Sequence, residues 1–95
     1  MKYSIIVHGG AWDIPAEHHE AHKNGVKTAV KVGMEILENN GSAIDACIAA
    51  VKCLEDDPTF DAGTGAFLNE KGEVELDAMI MNGRDLSLGA VIAVK

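Results

Sequence analysis

At 95 residues the chain is long enough for one small domain, and a domain of that size hides only about 60–65% of the surface its unfolded chain exposes. Hydrophobic residues make up 47% and low-complexity tracts are absent, which excludes a disordered segment. A net charge of −7, a single Arg (Arg84) and scattered lysines argue against nucleic acid, and no apolar run of about 18 residues exists to span a membrane. The start, Met1-Lys2-Tyr3, leads into a short apolar run and not into a signal peptide's longer one, so the expected compartment is the cytoplasm. Cys47 and Cys53, six apart on one expected helix, sit on different faces and suit small buried apolar groups better than a disulfide.

Tyr3 to Val7 is apolar and rich in β-branched residues, and it predicts a buried strand ended by His8-Gly9-Gly10. From about Ala16 to Asn40 the pattern is helical, with Val26, Ala29, Val30, Gly33 and Leu37 at spacings of three and four. Asn39-Asn40-Gly41 stops that helix. Ser42 caps a second, with Asp45 three residues on. The run from Ala43 to Leu54 is apolar on nearly every face and full of small residues, which predicts a helix buried within a layer and ended by Pro58. An acidic, glycine-containing loop over 55–66 follows. Phe67-Leu68, the turn at 69–72 and Glu73 to Met81 then suggest a hairpin, and after Asn82-Gly83 a further strand runs from Leu88 to Val94. The order β-α-α-β-β-β implies an α+β fold with helices over one face of an antiparallel sheet. The last strand finishes at Lys95 without a neighbour, so residues 1–95 read as a single incomplete domain, continued by further sequence or completed by another chain.

Several segments in order carry a family resemblance. They are Ile5-Ile6-Val7-His8-Gly9-Gly10-Ala11-Trp12, Gly41-Ser42-Ala43-Ile44-Asp45-Ala46, Leu54-Glu55-Asp56-Asp57-Pro58-Thr59-Phe60-Asp61-Ala62-Gly63-Thr64-Gly65-Ala66 and Glu75-Leu76-Asp77-Ala78-Met79-Ile80-Met81, with Gly89-Ala90-Val91 after them. Together they resemble the front of the plant-type L-asparaginases and isoaspartyl aminopeptidases. The resemblance implies the N-terminal portion of an αββα Ntn-hydrolase sandwich, from a precursor that cuts itself into two chains. The second chain begins with a threonine whose hydroxyl attacks the side-chain amide of asparagine or a β-aspartyl peptide carbonyl, its own amine acting as base. That nucleophile lies in a downstream segment beyond residue 95, so these residues alone are expected to be inactive. Processed pairs are expected to assemble further, as (αβ)2.

The resemblance also implies that the loop after the second helix wraps a structural sodium ion with the backbone carbonyls of Leu54, Glu55, Asp57, Phe60, Ala62 and Thr64. Sodium is a hard cation that wants oxygen. Phe60 would anchor the loop in the core. Asp61 departs from the family's usual Asn near the nucleophile; a carboxylate cannot donate a hydrogen bond as an amide can. It either faces the site or is a solvated loop carboxylate. His8, Gly9 and Gly10 are expected near the active centre, His8 fixing the loop and not serving as base. Thr28 reads as an ordinary helix side chain and Ser42 as a cap. Thr64 lies between two glycines, but its surroundings match the loop and not the nucleophile segment. His18 and His22, at i and i+4, have a zinc-compatible spacing, but without a third partner they read as an exposed polar helix start. The reading from another class is a truncated or stand-alone non-catalytic module that self-associates through its open edge or binds a partner.

Overall fold

A 20-residue helix is the longest element of the computed structural model, which describes residues 2–95. A short 3-10 turn (Ala16–His18) leads into it; α1 spans His19–Glu38, α2 Ala43–Asp56, β1 Leu76–Asn82 and β2 Ser87–Val94, with a second 3-10 turn at Gly63–Gly65 between α2 and β1. The α+β class expected from the order of elements is present. No helix among the described residues is long and apolar enough to cross a membrane.

Local chemistry sets the helix ends. The amide of Asn40 bonds the Leu37 carbonyl and that of Gly41 the Ile36 carbonyl, with Asn40 itself at φ 66°, a left-handed close. Immediately afterwards Ser42 Oγ accepts the Asp45 amide at 3.0 Å and starts α2, a cap of the kind worth about 1 kcal/mol. Thr28 donates to the Asn24 carbonyl within α1, an ordinary helical side chain.

The two helices pack through small residues. Ala29, Ala46 and Ala50 are buried between them, with Leu37, Leu54 and Phe60 completing a core that, among the described residues, contains no fully buried Ile, Val or Met. A side chain at Gly33 would meet Ile5 and the Ala46 carbonyl, so the N-terminal segment, α1 and α2 converge there. The expectation that α2 is buried on every face is corrected: Ile48 and Val51 are 43% and 48% exposed, and only the Ala46–Ala50–Leu54 stripe is covered. The cysteines are likewise not buried; Cys47 is exposed, Cys53 is half-buried and both are free thiols.

Tyr3 to Val7 is extended but unpaired. Tyr3, Ile5, Val7 and Gly9 turn inward while Ser4, Ile6 and His8 turn outward, the period-2 alternation of a strand without the ladder. The buried strand predicted from its composition is therefore a half-covered one, with Ile6 94% exposed. The hairpin also differs in register. The turn at 69–72 forms, with Asn69 Oδ1 accepting the Lys71 and Glu73 amides, but Phe67-Leu68 is not a strand. Antiparallel pairing instead joins β1 to β2, from Leu76↔Val94 to Asn82↔Ser87. Between Leu76 and Ala78 the pairing slips by one residue, Ala93 takes φ 52°, and its amide is received by Asp77 Oδ1 at 2.8 Å. A side-chain acceptor thus replaces the ladder bond that this bulge removes. At the other end Asp85 accepts the hydroxyl and the amide of Ser87, and these bonds hold its carboxyl below the ordinary aspartate range.

Candidate functional site

Of the residues singled out near the expected active centre, Gly9 packs against the ring of Phe60, whereas His8, Gly10 and Asp61 are exposed. α2 ends at Asp56, and the chain turns back through Asp57, whose Oδ1 accepts the Thr59 amide. Phe60 drops into the core, 3% exposed, and so anchors the loop as its sequence context implied. The slot that takes its ring is made by absence: a side chain at Gly25 of α1 would sit 2.5 Å from Phe60 Cε2, and one at Gly9 would sit 2.8 Å from Cε1. His22 closes the slot edge-on, its ring centroid 5.2 Å from that of Phe60 at 83°. Trp12 then lies edge-on to His22 at 6.0 Å and to Phe67 at 6.4 Å.

His22 was expected on an exposed polar helix start, and this is corrected: it is 9% exposed and belongs to the core face of α1. The signal was available, since His22 lies three and four residues before Gly25 and Val26, on the same stripe as Ala29 and Gly33. No group of His, Cys, Asp or Glu side chains among the described residues has the arrangement of a metal site. His8, by contrast, points outward and is exposed, while its neighbour Gly9 faces Phe60. His19, one turn before His22's end of the stripe, donates to the Ile14 carbonyl and ties the incoming loop to α1.

The carbonyls of the loop are arranged around its two glycines. Gly63 has φ 53°, a conformation that a side chain strains, and the Glu55 carbonyl lies 2.5 Å from where its Cβ would be. The Pro58 and Phe60 carbonyls crowd Gly65 in the same way. Leu54, Asp57, Phe60 and Ala62 each use one carbonyl lone pair on a nearby amide, those of Asp57, Phe60, Ala62 and Gly65 respectively. The Glu55 and Thr64 carbonyls receive no loop amide. Since every carbonyl oxygen has two lone pairs, the donor set retains acceptor capacity for a hard cation. Asp61 is exposed at the loop's outer side, and its Oδ1 accepts the Phe67 amide at 2.8 Å. Together with Glu55, Gly63, Glu75 and Asp77 it lines a recess between the loop and the hairpin. An acceptor is all this bond requires, so Asp and Asn serve it equally; what Asp changes is the charge.

The residues thus build a glycine-slotted aromatic under a carbonyl-rich loop, carried on two small-residue helices. The asparaginase family model matches residues 1–95, and the chain belongs to that family. It is 54% identical over 96 residues to the isoaspartyl peptidase/L-asparaginase of Bos taurus, covering 100% of this chain and 31% of that protein. It is 52% identical over 91 residues to the enzyme of the same name from Danio rerio, covering 96% and 29%. To the plant-type L-asparaginase of Pyrococcus horikoshii it is 50% identical over 92 residues, covering 96% and 30%. The chain thus spans less than a third of the length of these relatives.

Proposed function

We propose that these residues form the front of an amidohydrolase that cleaves the side-chain amide of L-asparagine or β-aspartyl peptides. The observation that carries this reading is the match of the asparaginase family along the whole chain. In this reading the helices and strands are the first part of an αββα Ntn-hydrolase sandwich. The nucleophilic threonine lies in the share of the family's length that residues 1–95 do not span. This segment's own contribution is structural: Gly9 and Gly10 bring backbone to the pocket wall, and the Phe60 slot fixes the loop against them. Asp61 braces the loop to Phe67 and sets the charge at its outer side.

A sodium ion held by the carbonyls of Leu54, Glu55, Asp57, Phe60, Ala62 and Thr64 would be met by oxygen alone and would stiffen the loop. The uncommitted Glu55 and Thr64 carbonyls support that role. The threonine-bearing segment would be this chain's principal partner, within an (αβ)2 assembly. The free thiols of Cys47 and Cys53 suit the reducing cytoplasm.

Denaturing mass spectrometry, with N-terminal sequencing, of the protein purified in its native state from its source tests the reading. A co-purifying second chain that begins with threonine is the expected result, with no ammonia released from asparagine by residues 1–95 alone. Ammonia release by the 95-residue segment would overturn the assignment of the nucleophile. A preparation with no threonine-initiated chain would leave a non-catalytic module, whose exposed β1–β2 face, with Met79 at 73% and Ile92 at 78%, favours self-association.

A further inference from the structure

Asparagine followed by glycine occurs at three places, Asn24-Gly25, Asn40-Gly41 and Asn82-Gly83. The dipeptide has a chemistry of its own. The backbone nitrogen of the glycine, unshielded by a side chain, can attack Cγ of the asparagine before it. That attack needs the glycine amide free of a hydrogen-bond acceptor, a backbone able to close a five-membered ring, and access for water.

The three sites differ sharply on those terms. Gly25 is inside α1, buried, and pressed against Phe60 and Asp57, so its amide is locked in the helical ladder. The amide of Gly41 donates to the Ile36 carbonyl at 2.8 Å in the turn that closes α1. Gly83 is different. It stands at the tip of the β1–β2 hairpin, its amide has no acceptor among the described residues, and nothing lies within 4 Å of where its Cβ would be. Asn82 Oδ1 accepts the Arg84 amide at 3.1 Å, which holds the side chain over the turn and draws electron density away from Cγ. Its own main-chain carbonyl is anchored separately by the Leu86 amide at 2.8 Å.

We propose that Asn82-Gly83 is a site of spontaneous deamidation and isoaspartate formation, and that the other two dipeptides are protected by the fold. The Gly83 nitrogen gives its proton to hydroxide and forms a bond to Asn82 Cγ. The Cγ–Nδ2 bond breaks, and Nδ2 leaves as ammonia with a proton from water. The resulting succinimide is opened by water. Breaking its bond to Cγ restores an ordinary aspartyl link; breaking its bond to the main-chain carbonyl carbon leaves the chain running through the side chain as isoaspartate. No oxidant or cofactor enters. The isoaspartyl product inserts a methylene into the backbone beside the Asn82↔Ser87 pair and adds a negative charge to a chain already at −7. The inference goes beyond the hydrolase reading and stands or falls without it.

The test is a time course of the purified protein held in mildly alkaline buffer, digested and mapped by mass spectrometry with fragmentation that separates isoaspartate from aspartate. Asn82 is expected to convert roughly tenfold or more faster than Asn24 or Asn40, in line with the local opening that protected amides require. In denaturant the three rates should converge. Gly83→Ala, which has room for its methyl group, should slow conversion at Asn82 while leaving the circular dichroism unchanged. Equal rates at the three sites in the folded protein, a faster Asn40, or an Asn82 rate untouched by Gly83→Ala would each overturn the proposal. So would a rate difference that persists after unfolding, since the neighbouring residues and not the fold would then set it.

Discussion

Phe60 shows how much one residue organises here. Its ring fills a slot that exists only because positions 9 and 25 lack side chains, and it joins the N-terminal segment, α1 and the loop after α2. Phe60→Ala should cost about 3–5 kcal/mol, the usual range for emptying a buried aromatic site. Chemical denaturation measures it; a loss under about 1 kcal/mol would mean the loop is held elsewhere. At this scale the sequence was readable where a residue acts through its own neighbours. Ser42 as a cap and Phe60 as an anchor follow from local pattern. The burial of His22 does not follow from its residue type, because a polar side chain at the start of a helix is ordinarily solvated. Only its place on the stripe through Gly25 and Ala29 points inward. The type of Asp61 fits either a site residue or a solvated loop carboxylate, and the bond it accepts from Phe67, a feature of the folded loop alone, makes it a brace.

At the scale of elements, the helices were readable and the strands only partly so. A helix satisfies its backbone within itself, so stop and start signals at Asn40-Gly41 and Ser42 settle its bounds. A strand is defined by its partner. Tyr3 to Val7 carries the composition and the alternation of one, yet nothing in its own residues says what pairs with it. The register of β1 likewise depends on a bulge opposite Asp77 that no local pattern marks. The loop between α2 and β1 combines both cases, since its acidic and glycine residues were visible while the direction of its carbonyls was not. Its proposed ion gives an expectation at this scale. Replacing sodium by a bulky organic cation at constant ionic strength should lower the thermal midpoint and raise the proteolytic cleavage rate within 57–65. Indifference of both readouts to the cation would remove sodium from the account.

For the whole molecule, the radius of gyration is 14.7 Å and the extents are 46 × 31 × 18 Å, against about 12 Å expected of a close-packed domain of this length. The excess comes from a hairpin that touches the helix pair along one side of α2 and otherwise stands in solvent. A groove between Ile48 and Val51 on one side and Ile80 and Val91 on the other is left open. The helices share a core; the hairpin has its ladder and little else. In residues 1–95 taken alone, amide hydrogen exchange should therefore be slowest in α1 and α2 around Ala29 and Ala50 and should approach unprotected rates in β1 and β2. Equal protection in both parts would show that the segment folds as one cooperative unit.

Trp12 offers a view of the site that none of these perturbations requires. It is the sole tryptophan, and it rests edge-on against His22 and Phe67, the first on α1 and the second just past the acidic loop. Ultraviolet emission excited in the indole band therefore originates from a single place, where the chain's first glycine turn meets its loop. Any event that seats or unseats that junction has a built-in optical reporter, with no label attached and no background from elsewhere in these residues.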